Sequence, residues 1–161
     1  MKLPEEKALY RMAAYCSRAE RCESDIRKKL VNWELSAEEQ NRIIKRLIQE
    51  KYLDHNRYCK SYINDKIKYN KWGEKKIIYE LRKKQIEEKY YLPILEDLDK
   101  DNFEEQLIRI LIVKNKSTKA KDEYDRKNKL IRFALGRGFS MDLVMKCVDN
   151  LLAGKYDQED N

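Results

Sequence analysis

One pattern of apolar and charged residues recurs three times along the 161-residue chain, and it limits the fold more than any other feature. The first copy runs Asp25-Ile26-Arg27-Lys28-Lys29-Leu30, then Trp33-Glu34-Leu35-Ser36, then Ile43, Ile44 and Leu47. The second runs Lys76-Ile77-Ile78-Tyr79-Glu80-Leu81, then Lys84-Gln85-Ile86-Glu87, then Ile94, Leu95 and Leu98. The third runs Lys129-Leu130-Ile131-Arg132-Phe133-Ala134, then Arg137-Gly138-Phe139-Ser140, then Cys147, Val148 and Leu151. The register is unbroken: 51 positions separate Leu30 from Leu81 and Leu47 from Leu98, and 53 separate Ile86 from Phe139 and Leu98 from Leu151. Each copy reads as helix, corner, helix. An apolar residue at the corner (Leu35, Ile86, Phe139) plugs the angle, and Ser36 and Ser140 follow it as candidate N-caps, with Glu39 placed to close a capping box.

Another helix precedes each pair. Ala8, Leu9, Met12, Ala13 and Cys16 share one helical face, as do Tyr58, Tyr62, Ile63, Ile67 and Tyr69, and then Phe103, Leu107, Ile108, Leu111 and Ile112. Asp54 and Asn102 are their candidate caps. The chain is therefore expected to be all-α, with about nine helices in three triplets: residues 1–53, 54–100 and 101–152. A lone triplet of about 50 residues is marginal, so the triplets should stack into an elongated, curved array. Lys114–Asp125 reads as a mobile link or a fraying helix end, and 153–161 as a disordered tail. Pro93 falls inside the sixth helix, which should start late, near Tyr91, or kink there.

Composition narrows the function. Only 4 glycines and 2 prolines occur, too few for a chain built on hairpin turns. No window approaches a membrane span, and the start lacks an apolar signal core, so a cytoplasmic protein is expected. Cys16, Cys22, Cys59 and Cys147 form no C-x-x-C pair, and His55 is the only histidine, so no metal or cofactor is expected. An enzyme would have to rest on His55 one turn from Cys59, with no orienting partner in the sequence. Acidic pairs such as Glu38-Glu39 and Glu104-Glu105 read as first-turn residues that complement the helix dipole.

What remains is basic surface. The net charge is +7, and between Lys60 and Lys84 nine basic residues face three acidic ones. The middle helices of the other triplets carry Arg27-Lys28-Lys29 and Arg126-Lys127-Lys129-Arg132. Recurring positive charge suits a phosphate backbone or an acidic protein groove, while interspersed carboxylates equally suit an ordinary solvated surface. Tyr69, Trp72 and Tyr79 lie among these charges, either as stacking or interface groups or, for Tyr69 and Trp72, as closure of the core between triplets.

The same residues resemble the RecX family. Ser17-Arg18-Ala19-Glu20-Arg21 leading into Ile26-Arg27-Lys28-Lys29-Leu30 resembles the opening of its first repeat, and Tyr52-Leu53-Asp54-His55-Asn56-Arg57-Tyr58 its L-D-D-x-R-Y junction. Gly73-Glu74-Lys75-Lys76-Ile77 through Leu81, and Lys129 through Arg132-Phe133 to Arg137-Gly138-Phe139, resemble two later segments. His55 replaces a second acidic residue, Cys22 a capping serine, and Gln85 a glycine. The resemblance implies a regulator, not an enzyme, that binds RecA and RecA–DNA filaments and restrains recombinase and ATPase activity in DNA recombination and repair. It implies no cofactor and no membrane, and a monomer is expected. The contact candidates are Arg27, Lys28, Lys75, Lys76, Arg82, Lys83, Arg126, Lys127 and Arg132. A DNA-binding regulator of helix-turn-helix type is the alternative.

Overall fold

The computed structural model describes residues 1–157, and its elements are all α-helices. They are α1 (Glu5–Arg18), α2 (Glu23–Asn32), α3 (Ala37–Gln49), α4 (His55–Lys68), α5 (Glu74–Lys83), α6 (Glu88–Asp97), α7 (Lys100–Ser117), α8 (Glu123–Gly136) and α9 (Met141–Leu152). The three-helix periodicity read from the sequence is present, with the paired helices being α2–α3, α5–α6 and α8–α9.

The corners of all three pairs are one motif. The N–H of the apolar corner residue donates back to the last buried residue of the preceding helix: Leu35 to Leu30 O at 3.1 Å, Ile86 to Leu81 O at 3.2 Å, and Phe139 to Ala134 O at 3.4 Å. The residue just before it closes a second, shorter bond, Glu34 to Val31 O, Gln85 to Arg82 O and Gly138 to Leu135 O. This is the Schellman termination, which needs a left-handed residue at its penultimate position. Only the third corner supplies glycine there; Glu34 and Gln85 adopt φ of 63° and 61° with a full side chain. Leu35 and Phe139 are buried as plugs, while Ile86 is half-buried.

The chain forms two compact units, one of residues 1–62 with 81–94, the other of 63–80 with 95 onward, so α4 and α5 contribute to both. In the first unit α1 and α2 pack on α3 around Met12, Ile26, Leu30, Ile43 and Leu47. In the second, α7, α8 and α9 pack mutually around Leu107, Leu111, Leu130, Ala134, Val144 and Val148. Each such buried aliphatic side chain is worth about 2 kcal/mol.

Several local expectations change. Helix α6 starts at Glu88, not near Tyr91, and takes Pro93 into its second turn. There the ring costs one hydrogen bond, but the residue is exposed and only one helical turn precedes it. Helix α7 begins at Lys100, because Asp99 rather than Asn102 caps it by accepting from the Asp101 N–H. Glu104 and Glu105 consequently lie beyond the first turn and pair with Lys146 (2.9 Å) and Arg109 (2.8 Å). Ser140 occupies the N-cap of α9 without a side-chain cap bond, whereas Ser36 and Glu39 complete the capping box of α3. The 114–125 segment is mostly helix: α7 runs to Ser117 and α8 starts at Glu123. Arg126 ties the two by donating to the carbonyl (3.0 Å) and side chain (2.9 Å) of Asn115. Residues 153–157 form a turn on the end of α9, with Lys155 N donating to Asn150 O at 3.0 Å. The remainder of the expected tail, 158–161, lies outside the described residues.

Candidate docking surface

The basic residues of the second helices do not share one fate. In the first unit, α2 and the end of α5 border a groove of about 520 Å³ lined by Arg27, Lys28 and Lys83, with Ser24, Val31, Asn32 and Gln85 and no carboxylate. Helix α2 turns this face outward because its apolar residues, Ile26 and Leu30, sit four apart on the opposite one. Arg27 is held in place, its Nη2 donating to Asn41 Oδ1 at 3.0 Å and its Nε 3.4 Å from Glu23. Lys28 is exposed and makes no ion pair among the described residues. Arg82, also exposed, pairs with Glu88 at 3.3 Å. Val31 lies 58% exposed in the groove, an apolar contact point among cations.

In the second unit, Lys75 and Lys76 open α5. Lys76 and Lys66 both lie over the Trp72 ring, at 4.8 and 4.9 Å from its centroid. Trp72 is half-buried under them, whereas Tyr69 is 70% and Tyr79 60% exposed, so Tyr69 does not close a core. Helix α8 contributes less than its charge suggests. Arg126 is consumed by Asn115, Lys127 by Asp149 at 2.9 Å, and only Arg132 stands exposed without a carboxylate among the described residues. Lys28, Lys75 and Arg132 are thus the most available of the nine candidates.

The neighbouring titratable groups stabilise this arrangement. Burial pushes the Asp25 carboxyl up, but a hydrogen bond from the Cys22 thiol and the nearby Lys84 ammonium outweigh it and hold it below its ordinary value. Glu39 is lowered to about 2, first by the Lys2 ammonium at 2.7 Å and then by the Ser36 N–H. Cys59 is buried and its thiol is pushed up to about 11 by that burial, so it is protonated at neutral pH and ill suited to act as a nucleophile beside His55. His55 packs instead against Tyr90 in a tilted arrangement, ring centroids 4.9 Å apart at an interplanar angle of 50°. Among the described residues no group of three or more His, Cys, Asp or Glu could hold a metal ion, and no helix is long and apolar enough to cross a membrane.

Sequence reasoning did not find a second groove, of about 620 Å³, lined by Ile78, Phe103, Phe139 and Leu143 together with charges of both signs: Lys75, Lys100 and Lys146 beside Glu74, Glu104 and Asp142. It is assembled from α5, α7 and α9, which are distant in sequence, so no local periodicity announces it.

Residues 54–90 match the model of the second three-helix domain of RecX, and residues 103–148 match that of the third. A regulatory protein RecX of Clostridium acetobutylicum is 31% identical over 148 residues, covering 86% of this chain and 67% of that protein. The chain belongs to the RecX family. The Finegoldia magna RecX is 35% identical over 126 residues, 77% of this chain and 62% of the relative, so the chain spans about three fifths of that protein's length. A crystal structure of a regulatory protein RecX superimposes with a TM-score of 0.83 at 27% identity, covering 90% of this chain and 73% of the other. The match to the second RecX domain covers α4 and α5 and the start of α6, and the match to the third covers most of α7, all of α8 and most of α9.

Proposed function

We propose that this RecX-family chain binds RecA and RecA–DNA filaments, without catalysis or cofactor, and restrains recombinase and ATPase activity in the cytoplasm. The observation that carries the reading is the ordered match of two RecX domains onto two consecutive triplets of helices. The nine basic candidates supply the contacts, led by Lys28, Lys75 and Arg132, which are exposed and make no ion pair among the described residues. Several weak basic patches on one chain add by avidity when they meet a repeating polymer. The test is co-sedimentation with RecA assembled on single-stranded DNA, with free RecA and with DNA alone. Binding to the assembled filament above the other two is expected, and binding to none of them removes the reading.

One observation favours a second reading. The groove bearing Arg27, Lys28 and Lys83 contains no carboxylate, which is also what a phosphate backbone needs. Direct DNA regulation predicts a steep salt dependence and a sequence preference on naked duplex. Flat, weak, sequence-blind binding leaves the filament as the target.

A further inference from the structure

The repeat allows the molecule to be compared with itself. In the second unit two main-chain hydrogen bonds seal the start of α5 to the α8–α9 corner: Gly73 N donates to Arg137 O at 2.8 Å and Lys75 N to Gly138 O at 3.0 Å. Two glycines permit that approach. A methyl added at Gly73 would overlap the backbone of Gly138 and Phe139, and one added at Gly138 would overlap Lys76. Arg137 adds a third clasp, its Nη1 donating to Asn70 O at 2.9 Å.

The 51- and 53-residue offsets place Cys22 and Ser24 where Gly73 and Lys75 stand, and Lys84 and Gln85 where Arg137 and Gly138 stand. All four lie in the first unit. Neither glycine is present, and among the described residues no backbone hydrogen bond joins Cys22 or Ser24 to Lys84 or Gln85. In place of the seal is a cavity of about 170 Å³ between the first turn of α2 and the α5–α6 corner, lined also by His55 and Tyr90. Side chains bridge it. Lys84 Nζ reaches Asp25 Oδ2 at 3.3 Å, and His55 leans on Tyr90. Cys22 supplies no side-chain cap, so the amides that its counterparts commit to carbonyls have no protein acceptor on this side.

These closures differ in stiffness. Two backbone hydrogen bonds between glycine-enabled segments tolerate little change in distance or angle. A lysine on a four-carbon stem follows its carboxylate through several rotamers, and a tilted ring pair slides. We infer that the contact between the start of α2 and the α5–α6 corner is an adjustable joint, and that the equivalent contact between the start of α5 and the α8–α9 corner is fixed. If the chain docks on a polymer as proposed above, the first joint is where its first triplet accommodates the surface. The joint itself does not depend on that reading, and its test uses the free chain.

The test is amide hydrogen exchange of the full chain, read residue by residue. Gly73 and Lys75 should be protected about a hundredfold more than Cys22 and Ser24, roughly a factor of ten for each backbone bond present in one joint and absent from the other. In Gly138→Ala, protection at Gly73 and Lys75 should fall towards that of Cys22 and Ser24, while amides inside α8 keep theirs. Equal protection of the two joints in the native chain overturns the inference. So does unchanged protection at Gly73 and Lys75 in Gly138→Ala, because it would show that the glycine contact does not hold the second joint.

Discussion

Glu34, Lys51, Lys71 and Gln85 hold φ between 55° and 63° without being glycine. For an L-residue that region costs about 1–2 kcal/mol, partly offset by the entropy a glycine would lose. Gln85→Gly should therefore stabilise the chain by about 0.5–1 kcal/mol, read as a shift in the urea midpoint at constant slope. A loss of stability would mean that the Gln85 side chain makes a contact worth more than the backbone strain. At Glu39 the prediction is a titration. Its carboxyl, lowered to about 2 from 4.5, contributes stability that is complete above about pH 4.5 and lost as the pH falls towards 2. In a Lys2→Ala variant the carboxyl should titrate closer to 4.5, as followed by carbon NMR; an unmoved midpoint would discount the Lys2 contact. Among the basic residues, Arg126→Ala should destabilise the second unit by removing the bonds to Asn115, whereas Lys28→Ala should leave the unfolding midpoint in place. A reversed order would mean that surface availability has been assigned to the wrong residues.

At the scale of elements, the two serine positions that follow the corners separate cleanly. Ser36→Ala removes a capping-box bond at 3.1 Å and should cost about 1 kcal/mol. Ser140→Ala removes none and should cost less than about 0.5 kcal/mol. Paired denaturant melts decide it, and equal costs would argue that the α9 cap forms in solution. The helix pairs were legible because Leu30, Leu81 and Ala134 recur with their corner residues in strictly local sequence, and local periodicity is what a chain shows most openly. The start of α7 was misread because Asp99 and Asn102 are both residue types that cap helices, and it is Asp99 whose side chain accepts from the Asp101 N–H. The sequence left α6 open between a late start near Tyr91 and a kink at Pro93; the helix starts at Glu88 and carries Pro93 inside, a choice that the local pattern alone does not make. The candidate surface was legible as residue types but not as available charges. Lys127 meets Asp149 and Arg126 meets Asn115 across helices, pairings that no count along the sequence contains.

For the whole molecule, the net charge of +7 is an excess of cations that ion pairing cannot remove, because each pair takes one carboxylate with one cation, and many cations are held in this way at 2.6–3.5 Å. Among the nine candidates, Lys28 on α2, Lys75 on α5 and Arg132 on α8 are exposed and make no ion pair among the described residues. These lie on the second helix of each triplet, the element the repeat itself makes equivalent. If the chain regulates a filament as proposed, no single one of these residues should be decisive, whereas reversing all three charges together should be. The most direct measurement is the rate of ATP hydrolysis by RecA on single-stranded DNA as the chain is titrated in, beside the Lys28→Glu/Lys75→Glu/Arg132→Glu variant. A saturable fall in rate is expected with the native chain, weakened at least about tenfold in apparent affinity by the triple reversal, with the unfolding transition unchanged. A rate that the native chain leaves unaltered at saturating concentration, or an undiminished effect from the folded variant, would contradict it.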